Sequence, residues 1–428
     1  MFQYAKKNPN KLLYINLTHD SLNTITLHCK NTFNGRVKFL PASKSISNRA
    51  IILNALAGNT GTLLNLSEAN DTHLMQSLIH SDDQVLDVED AGTTMRFLTA
   101  YCAITGKNKV ITGTDRMKQR PIGILVDALR ALGAEIEYVE KEGFPPVSIK
   151  AFAGQETSTI SVRGDVSSQY ISALMKVAPL LPEGLHLNFE GQLTSRPYVE
   201  MTAALMKQFG VTCALTENGI QIPHQTYSPT QLTIESDWSA ASYWFAFVAL
   251  AKQAEVELPN MTLRSLQGDR VIVDIMEILG VKSEPRGNSL NLIKKDHRNE
   301  ITWDFRHCPD LAQTVAVVCA AKGIRGIFTG LESLKIKETD RIKALQHELK
   351  KLGTSFTEKD GTWILTPSGN RSVGSLSFDT YLDHRMAMAF APLAAVADVT
   401  IENPDVVRKS YPRFWEDIKG FGFTFIQS

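Results

Sequence analysis

One polarity pattern returns five times along the chain: apolar residues three and four apart, then a glycine, then alternating apolar and polar positions. It occupies 120–138, 195–215, 268–284, 338–356 and 411–425. Apolar spacing of three and four is one face of an α-helix, and alternation is one face of a β-strand. The intervening glycines, Gly133, Gly210, Gly280, Gly353 and Gly422, recur every 69 to 77 residues. Glycine just past a helix is the usual left-handed cap, so each marks a helix end with a strand to follow. A weaker sixth copy begins at Asn70 and lacks the glycine.

A second helix type alternates with the first. It is apolar nearly all round and opens on polar residues, at 43–58, 90–104, 165–181, 236–252, 308–323 and 382–398. A helix with no polar face must be buried on most sides. Short β-rich runs fill the gaps: 37–40, 147–152, 186–190, 256–260, 326–330 and 399–403. The pattern predicts six copies of a strand–helix–strand–helix–strand unit, grouped as two lobes of three. The alternative is chance likeness among ordinary α/β segments.

At 428 residues the chain is too long for one ordinary core, which agrees with two lobes. With 43% hydrophobic and 21% charged residues it is globular in type. Lys plus Arg and Asp plus Glu number 45 each, so a broad nucleic-acid surface is not expected, although a local basic cleft is allowed. Five scattered cysteines with no CxxC pair read as free thiols of a reducing compartment. No apolar run is long enough for a membrane span, and the first eleven residues have no apolar core after their charges. The expectation is a cytoplasmic protein with no membrane or nucleic-acid partner.

The openings of the apolar helices are where chemistry is expected. Free N–H groups and the positive dipole end favour anions there. Ordinary capping accounts for one Ser or Asp per helix. It does not account for Arg49, Arg96 and Arg385, cations where the dipole disfavours them. Lys44-Ser45 through Arg49 suits a phosphate or carboxylate; a capped helix with two surface cations is the alternative. In 90–96, Gly92 permits close approach, and Thr93 and Arg96 can donate to an anion. Arg116, Lys118 and Arg120 form a dense cationic run, for which a solvated surface is the plainer reading. Ser167, Ser168 and Gln169, with Ser195 and Tyr198 downstream, offer neutral groups to a polyol or phosphate, or simply cap. Lys337 and Arg341, four apart, would share a helix face if the segment is helical, with Glu338 pointing elsewhere on that turn, or belong to an ordinary salt-bridged surface helix. Asp383, His384 and Arg385, with Lys409 beyond, complete the set; His384 also reads as a core histidine. Nucleotide loops, zinc-ligand spacings and the nucleophile elbow are absent from the sequence.

Ten segments, LPASKSISNRA, DAGTTMR, DRMKQRPIG, DVSSQ, TSRPY, SLQGDR, PDLAQT, KIKETDR, YLDHRMAM and RKSYP, resemble the EPSP synthase family in order and spacing, from about residue 36 to the C-terminus. The resemblance implies a two-lobed, inside-out α/β barrel, each lobe three βαβαββ-like units, with the active site in the cleft between lobes. One lobe would comprise 1–42 and 236–428, with one unit completed by the N-terminal segment. The inserted lobe would be 43–235. The implied reaction is transfer of the enolpyruvyl group of phosphoenolpyruvate to the 5-hydroxyl of shikimate 3-phosphate, in the shikimate pathway of aromatic amino-acid biosynthesis. No cofactor or metal is implied, and a monomer is expected.

By the same resemblance, shikimate 3-phosphate would be held by Lys44, Ser45, Arg49, Ser167, Ser168, Gln169, Ser195, Tyr198, Asp310, Ser333 and Lys337. Phosphoenolpyruvate would be held by Lys44, Gly92, Thr93, Arg96, Arg120, Gln169, Arg341, His384, Arg385 and Lys409. Asp310 would be the base for the hydroxyl. Glu338 would handle the proton at the methylene carbon, with Lys44 as its rival. The chain departs from the family's usual residues at Ala42, Asp90, Phe97 and Ser333. An acid at 90 beside an anion pocket needs a cation partner, and the changes at 90 and 97 bear on glyphosate sensitivity even though Gly92 is retained. Two other readings are weighed: the related transferase that acts on UDP-N-acetylglucosamine, which needs a reactive cysteine on a loop, and a binding protein that has lost turnover.

Overall fold

The computed structural model describes residues 23–164, 167–368 and 376–427. The N-terminal stretch read for a leader and the first two residues of the 165–169 segment lie outside them. Two separate hydrophobic cores are present. One is built from 25–37 and 238–423, the other from 42–234. The chain passes between them twice, side by side. Ala42 and Ser236 form an antiparallel bridge there, flanked by hydrogen bonds from Ser43 N to Glu235 O (2.8 Å) and Asp237 N to Pro41 O (2.8 Å).

Each lobe wraps sheets around interior helices, as the apolar helices require. In the lobe containing the C-terminal half, Trp238–Leu250, Ala312–Lys322 and His384–Phe390 pack on one another at the centre. Every residue of Trp238–Leu250 except Ser239 is buried. Burying each large side chain is worth roughly 1.5–3 kcal/mol, which makes this helix a main anchor of the lobe. In the inserted lobe Lys44–Leu56, Gly92–Ile104 and Ser168–Val177 take the same places. The amphipathic helices, such as Gly123–Ala131 and Arg341–Lys351, end at the five repeating glycines, all with positive φ. At Gly133 a side chain would also collide, since its Cβ would lie 2.1 Å from Gly154 O.

Among the described residues five of the six units carry a four-stranded sheet with one parallel pair, and in four of these the other two strands form a hairpin, as in the strand order Val85–Asp87, Lys109–Thr112, Val147–Phe152, Ala134–Tyr138. The sixth is reduced. Among the described residues Thr62–Leu64 pairs only with Gln231–Thr233, and Asn70–Ile79 leads through His80 to the next unit with no hairpin. Without the glycine cap the chain has no sharp turn back onto its own sheet. The N-terminal segment serves two units: Thr32–Arg36 pairs parallel to Gln253–Pro259, and Thr24–Leu27 lies between Val399–Glu402 and Phe425–Gln427. The strand expected at 37–40 is therefore displaced. Pairing ends at its first residue, and the amides of Lys38 and Phe39 bond the Asp417 carboxylate (2.8 and 3.1 Å) as the chain turns toward Pro41.

Candidate active site

Four of the six interior helices are capped by a side chain at their polar openings; Gly92–Ile104 and Ala312–Lys322 are not. The side chains of Ser43, Ser167, Asp237 and Asp383 accept from amides of the first turn. Asp237 also receives the amide of Lys44 (3.2 Å), so one carboxylate ties two helix starts together at the chain crossing. Helical side chains lean toward the N-terminus. That explains the arginines placed against the dipole: Arg49 folds back onto Ser45 O (2.8 Å) and Arg96 onto Gly92 O (3.1 Å).

In the terminal lobe the cations and acids condense into one network. Arg341, with 1% of its side chain exposed, pairs with Asp383 (2.7 Å), Asp310 (3.0 Å) and Glu338 (2.8 Å). Asp310 also meets Arg385 at 2.9 Å and Lys337 at 3.8 Å. Lys409 stands 3.7 Å from Glu338. Burial would raise both acids, but the cations win. Arg385, Lys337 and Arg341 hold Asp310 well below the usual carboxylate range, and Arg341, Lys409 and Arg120 do the same for Glu338. Burial lowers Lys337. It also drives His384, with help from Lys44 and Arg385, far below the usual imidazole value, so that ring is neutral. Its two nitrogens are buried without hydrogen-bond partners among the described residues.

The inserted lobe faces this network. Lys44 pairs with Asp71 (2.9 Å), and Gln169 Nε2 donates to Thr93 Oγ1 (3.3 Å). Arg120 lies against Gly92, where a Cβ would come within 2.7 Å of its guanidinium. The lobes touch directly. Lys409 Nζ donates to Asp90 O (2.9 Å), Tyr198 Oη to Asp310 (3.5 Å), Ser195 N to Arg306 O (3.1 Å), and Arg116 to the carbonyls of Glu338 (2.8 Å) and Lys337 (2.7 Å). This is a closed cleft.

Several expectations need correction. Lys337 precedes the helix, which starts at Arg341 behind the Asp340 cap, so the two share no helix face; they meet on Asp310 instead. Glu338 does not point elsewhere but pairs with Arg341. The run at 116–120 is only partly a solvated surface: Lys118 pairs with exposed Glu140, while Arg116 spans the cleft and Arg120 is buried. Asp90 needs no cation on its carboxylate, which bonds the Thr114 hydroxyl, while its carbonyl receives Lys409 and Arg120. Arg49 and Arg96 are committed to the inserted lobe itself. Arg49 bonds Thr202 (2.8 Å) and Ser172 (3.3 Å) and stacks on Phe97, and Arg96 bonds Pro121 O (2.9 Å). Burial lowers each to about 10. Ser168 is buried at a helix start, Ser195 sits at φ 53° before another, and Ser333 lies on the turn Glu332–Ile336 that leads to Lys337.

Sequence reasoning missed Asp71, Asp237 and Asp269. Asp71 opens the helix of the weak sixth repeat, and Asp237 occupies the capping position of an apolar helix; six equivalent openings were the available signal. Asp269 bonds Ser239 and is raised to about 7 by burial and by Asp310.

A sequence profile of EPSP synthase (3-phosphoshikimate 1-carboxyvinyltransferase) matches residues 76–418. The 3-phosphoshikimate 1-carboxyvinyltransferase of Bacteroides fragilis is 48% identical over 391 residues, 90% of this chain and 94% of that protein. That of Vibrio cholerae is 36% identical over 427 residues, covering 92% and 98%. The solved EPSP synthase of Acinetobacter baumannii superposes with a TM-score of 0.74 at 21% identity, covering 95% of this chain and 100% of that one. A matching profile over most of the length, close relatives over nearly all of it and the shared two-lobed fold place this chain in the EPSP synthase family.

Proposed function

We propose that the cleft joins the enolpyruvyl group of phosphoenolpyruvate to the 5-hydroxyl of shikimate 3-phosphate and releases phosphate. The observation that carries this reading is Asp310, an ionised carboxylate beside Arg341, Arg385, Lys337 and Tyr198, where the two lobes meet. In the addition step the hydroxyl oxygen bonds the central carbon of phosphoenolpyruvate, its proton passes to Asp310, and the methylene gains a proton to become methyl. In the elimination step the methyl loses a proton and the carbon–oxygen bond to phosphate breaks. The Lys44 ammonium is the donor and Glu338, kept ionised by Arg341 and Lys409, the acceptor at that carbon. The remaining cations stabilise charge that develops in the adduct, a preorganised electrostatic role.

Shikimate 3-phosphate lies along Ser167, Ser168, Gln169, Ser195, Tyr198 and Ser333 on this reading. Phosphoenolpyruvate lies among Gly92, Thr93, Arg120, Arg341, His384, Arg385 and Lys409. Arg49 and Arg96 act from beneath by holding Ser45 and Gly92. The lobes move as units about the paired crossings at 41–44 and 234–238. One chain supplies the whole site, in keeping with a monomer, and its free cysteines accord with the cytoplasm. Among the described residues no helix is long and apolar enough to cross a membrane. The UDP-sugar rival is disfavoured: Cys102 is buried in Gly92–Ile104 and burial pushes its thiol up to about 11, opposite to a reactive thiolate.

The test is phosphate release on mixing the protein with phosphoenolpyruvate and shikimate 3-phosphate. Release is expected. No release with this acceptor, but release with UDP-N-acetylglucosamine, would overturn the assignment, and binding of both substrates without turnover would reduce the chain to a binding protein.

A further inference from the structure

Lys337 and Glu338 occupy a short bent link between the turn Glu332–Ile336 and the helix Arg341–Lys351. Among the described residues, the carbonyls of Lys337 and Glu338 receive no backbone N–H. Both are taken by Arg116 of the opposite lobe, through Nε to Glu338 O (2.8 Å) and Nη2 to Lys337 O (2.7 Å), while Nη1 reaches Gln119 (3.5 Å). A planar guanidinium fork fixes two acceptors at once, which a lysine cannot do with the same geometry. The two peptide planes so held carry side chains that diverge, Lys337 toward Asp310 and Glu338 toward Arg341 and Lys409. A second cross-lobe bond, Lys409 Nζ to Asp90 O at 2.9 Å, lies beside the same acid.

We propose that Arg116 is a positioning residue for enolpyruvyl transfer. As the cleft shuts, it docks the 337–338 link against the inserted lobe and thereby aims Lys337 and Glu338 at the substrates, without touching substrate itself. The inference rests on the proposed reaction, and it also makes a claim independent of turnover: the link is ordered by one arginine 222 positions away in sequence.

Three measurements on the full chain test it. In Arg116→Met, kcat falls about 100-fold, the scale expected when a reacting group is misplaced by about 1 Å, while the melting temperature of the ligand-free protein stays at the wild-type value. Arg116→Lys recovers part of the loss, and free guanidinium ion at low millimolar concentration, but not methylammonium, restores activity to Arg116→Ala. With shikimate 3-phosphate and phosphoenolpyruvate added, hydrogen exchange across 336–340 is faster in Arg116→Met than in wild type. A kcat within twofold of wild type, a loss that tracks a lowered melting temperature, or unchanged exchange would overturn the inference. Turnover by the wild-type chain, measured alongside, judges the reaction itself, and the exchange difference judges Arg116 even if that reaction proves wrong.

Discussion

Replacing Arg341 with Met removes the centre of the buried charge network. The guanidinium makes four charge-assisted bonds: two to Asp383 (2.7 and 3.3 Å), one to Asp310 (3.0 Å) and one to Glu338 (2.8 Å). The three acids are not equally dependent on it. Asp310 keeps Arg385 and Lys337, and Glu338 keeps Lys409. Asp383, fully buried, keeps the Arg385 amide at 2.9 Å, while the neutral His384 ring beside it offers no hydrogen bond. The loss is thus close to that of one broken buried pair, roughly 3–5 kcal/mol. For a cooperative unit of about 200 residues each kcal/mol is about 2–4 °C, so the terminal lobe should melt roughly 6–20 °C lower while the inserted lobe is spared. Differential scanning calorimetry of the ligand-free protein reads this directly. Because Asp310 and Glu338 are held below their usual values, they bind fewer protons folded than unfolded. Their contribution is present above the unfolded carboxylate range, near pH 4, and is lost as pH falls through the folded values. Without Arg341 the folded values of both acids rise, so the part of the gap they carry should be full at pH 7 and shrink toward pH 2–3. A melting temperature within about 2 °C of wild type at pH 7, or a gap that does not change with pH, refutes the reasoning.

Three further outcomes are expected. Asp310→Asn, nearly isosteric, should lower kcat by about 100- to 10,000-fold without weakening substrate binding, since a negative charge leaves an anion site; a loss under tenfold places the base elsewhere. Gly92→Ala drives a Cβ to within 2.7–2.9 Å of the Arg120 guanidinium, whose flexible end must yield. The KM for phosphoenolpyruvate should rise about tenfold, the value of one charge-assisted bond, while that for shikimate 3-phosphate holds; equal changes in both would contradict the placement. Lys176, fully buried with its amine against Phe97 and near Arg49, has no hydrogen-bond partner among the described residues, and burial lowers it far below its usual value. Lys176→Met should stabilise the inserted lobe by about 1–3 kcal/mol at pH 7. The folded chain gives up this proton before the unfolded chain does, so the cost of Lys176 declines as pH rises toward 10.5. Urea melts at pH 7 and 9.5 should show the Met advantage narrowing, and a destabilised variant would count against the account.

The sequence by itself determined the repeating unit and the polar openings of its buried helices. Helix periodicity, a glycine past the last turn and a capping residue before the first are set by neighbours within a few positions, so Gly133, Gly353, Ser43 and Asp383 were readable one segment at a time. Even the reduced sixth unit left its mark there, in a helix without a glycine. What only the tertiary structure decided was the partner of each charge. Arg116 and Glu338 are 222 residues apart, and Lys409 and Asp90 are 319 apart. No local pattern distinguishes Arg116, which spans the cleft, from Lys118, which pairs on the surface two residues later. Nor does it show that Arg49 and Arg96 turn inward while Arg341 and Arg385 converge on Asp310. A side chain's preference for helix or strand acts along the chain, whereas ion pairing acts through space at a few ångströms, and those distances exist only once the two lobes have folded and met.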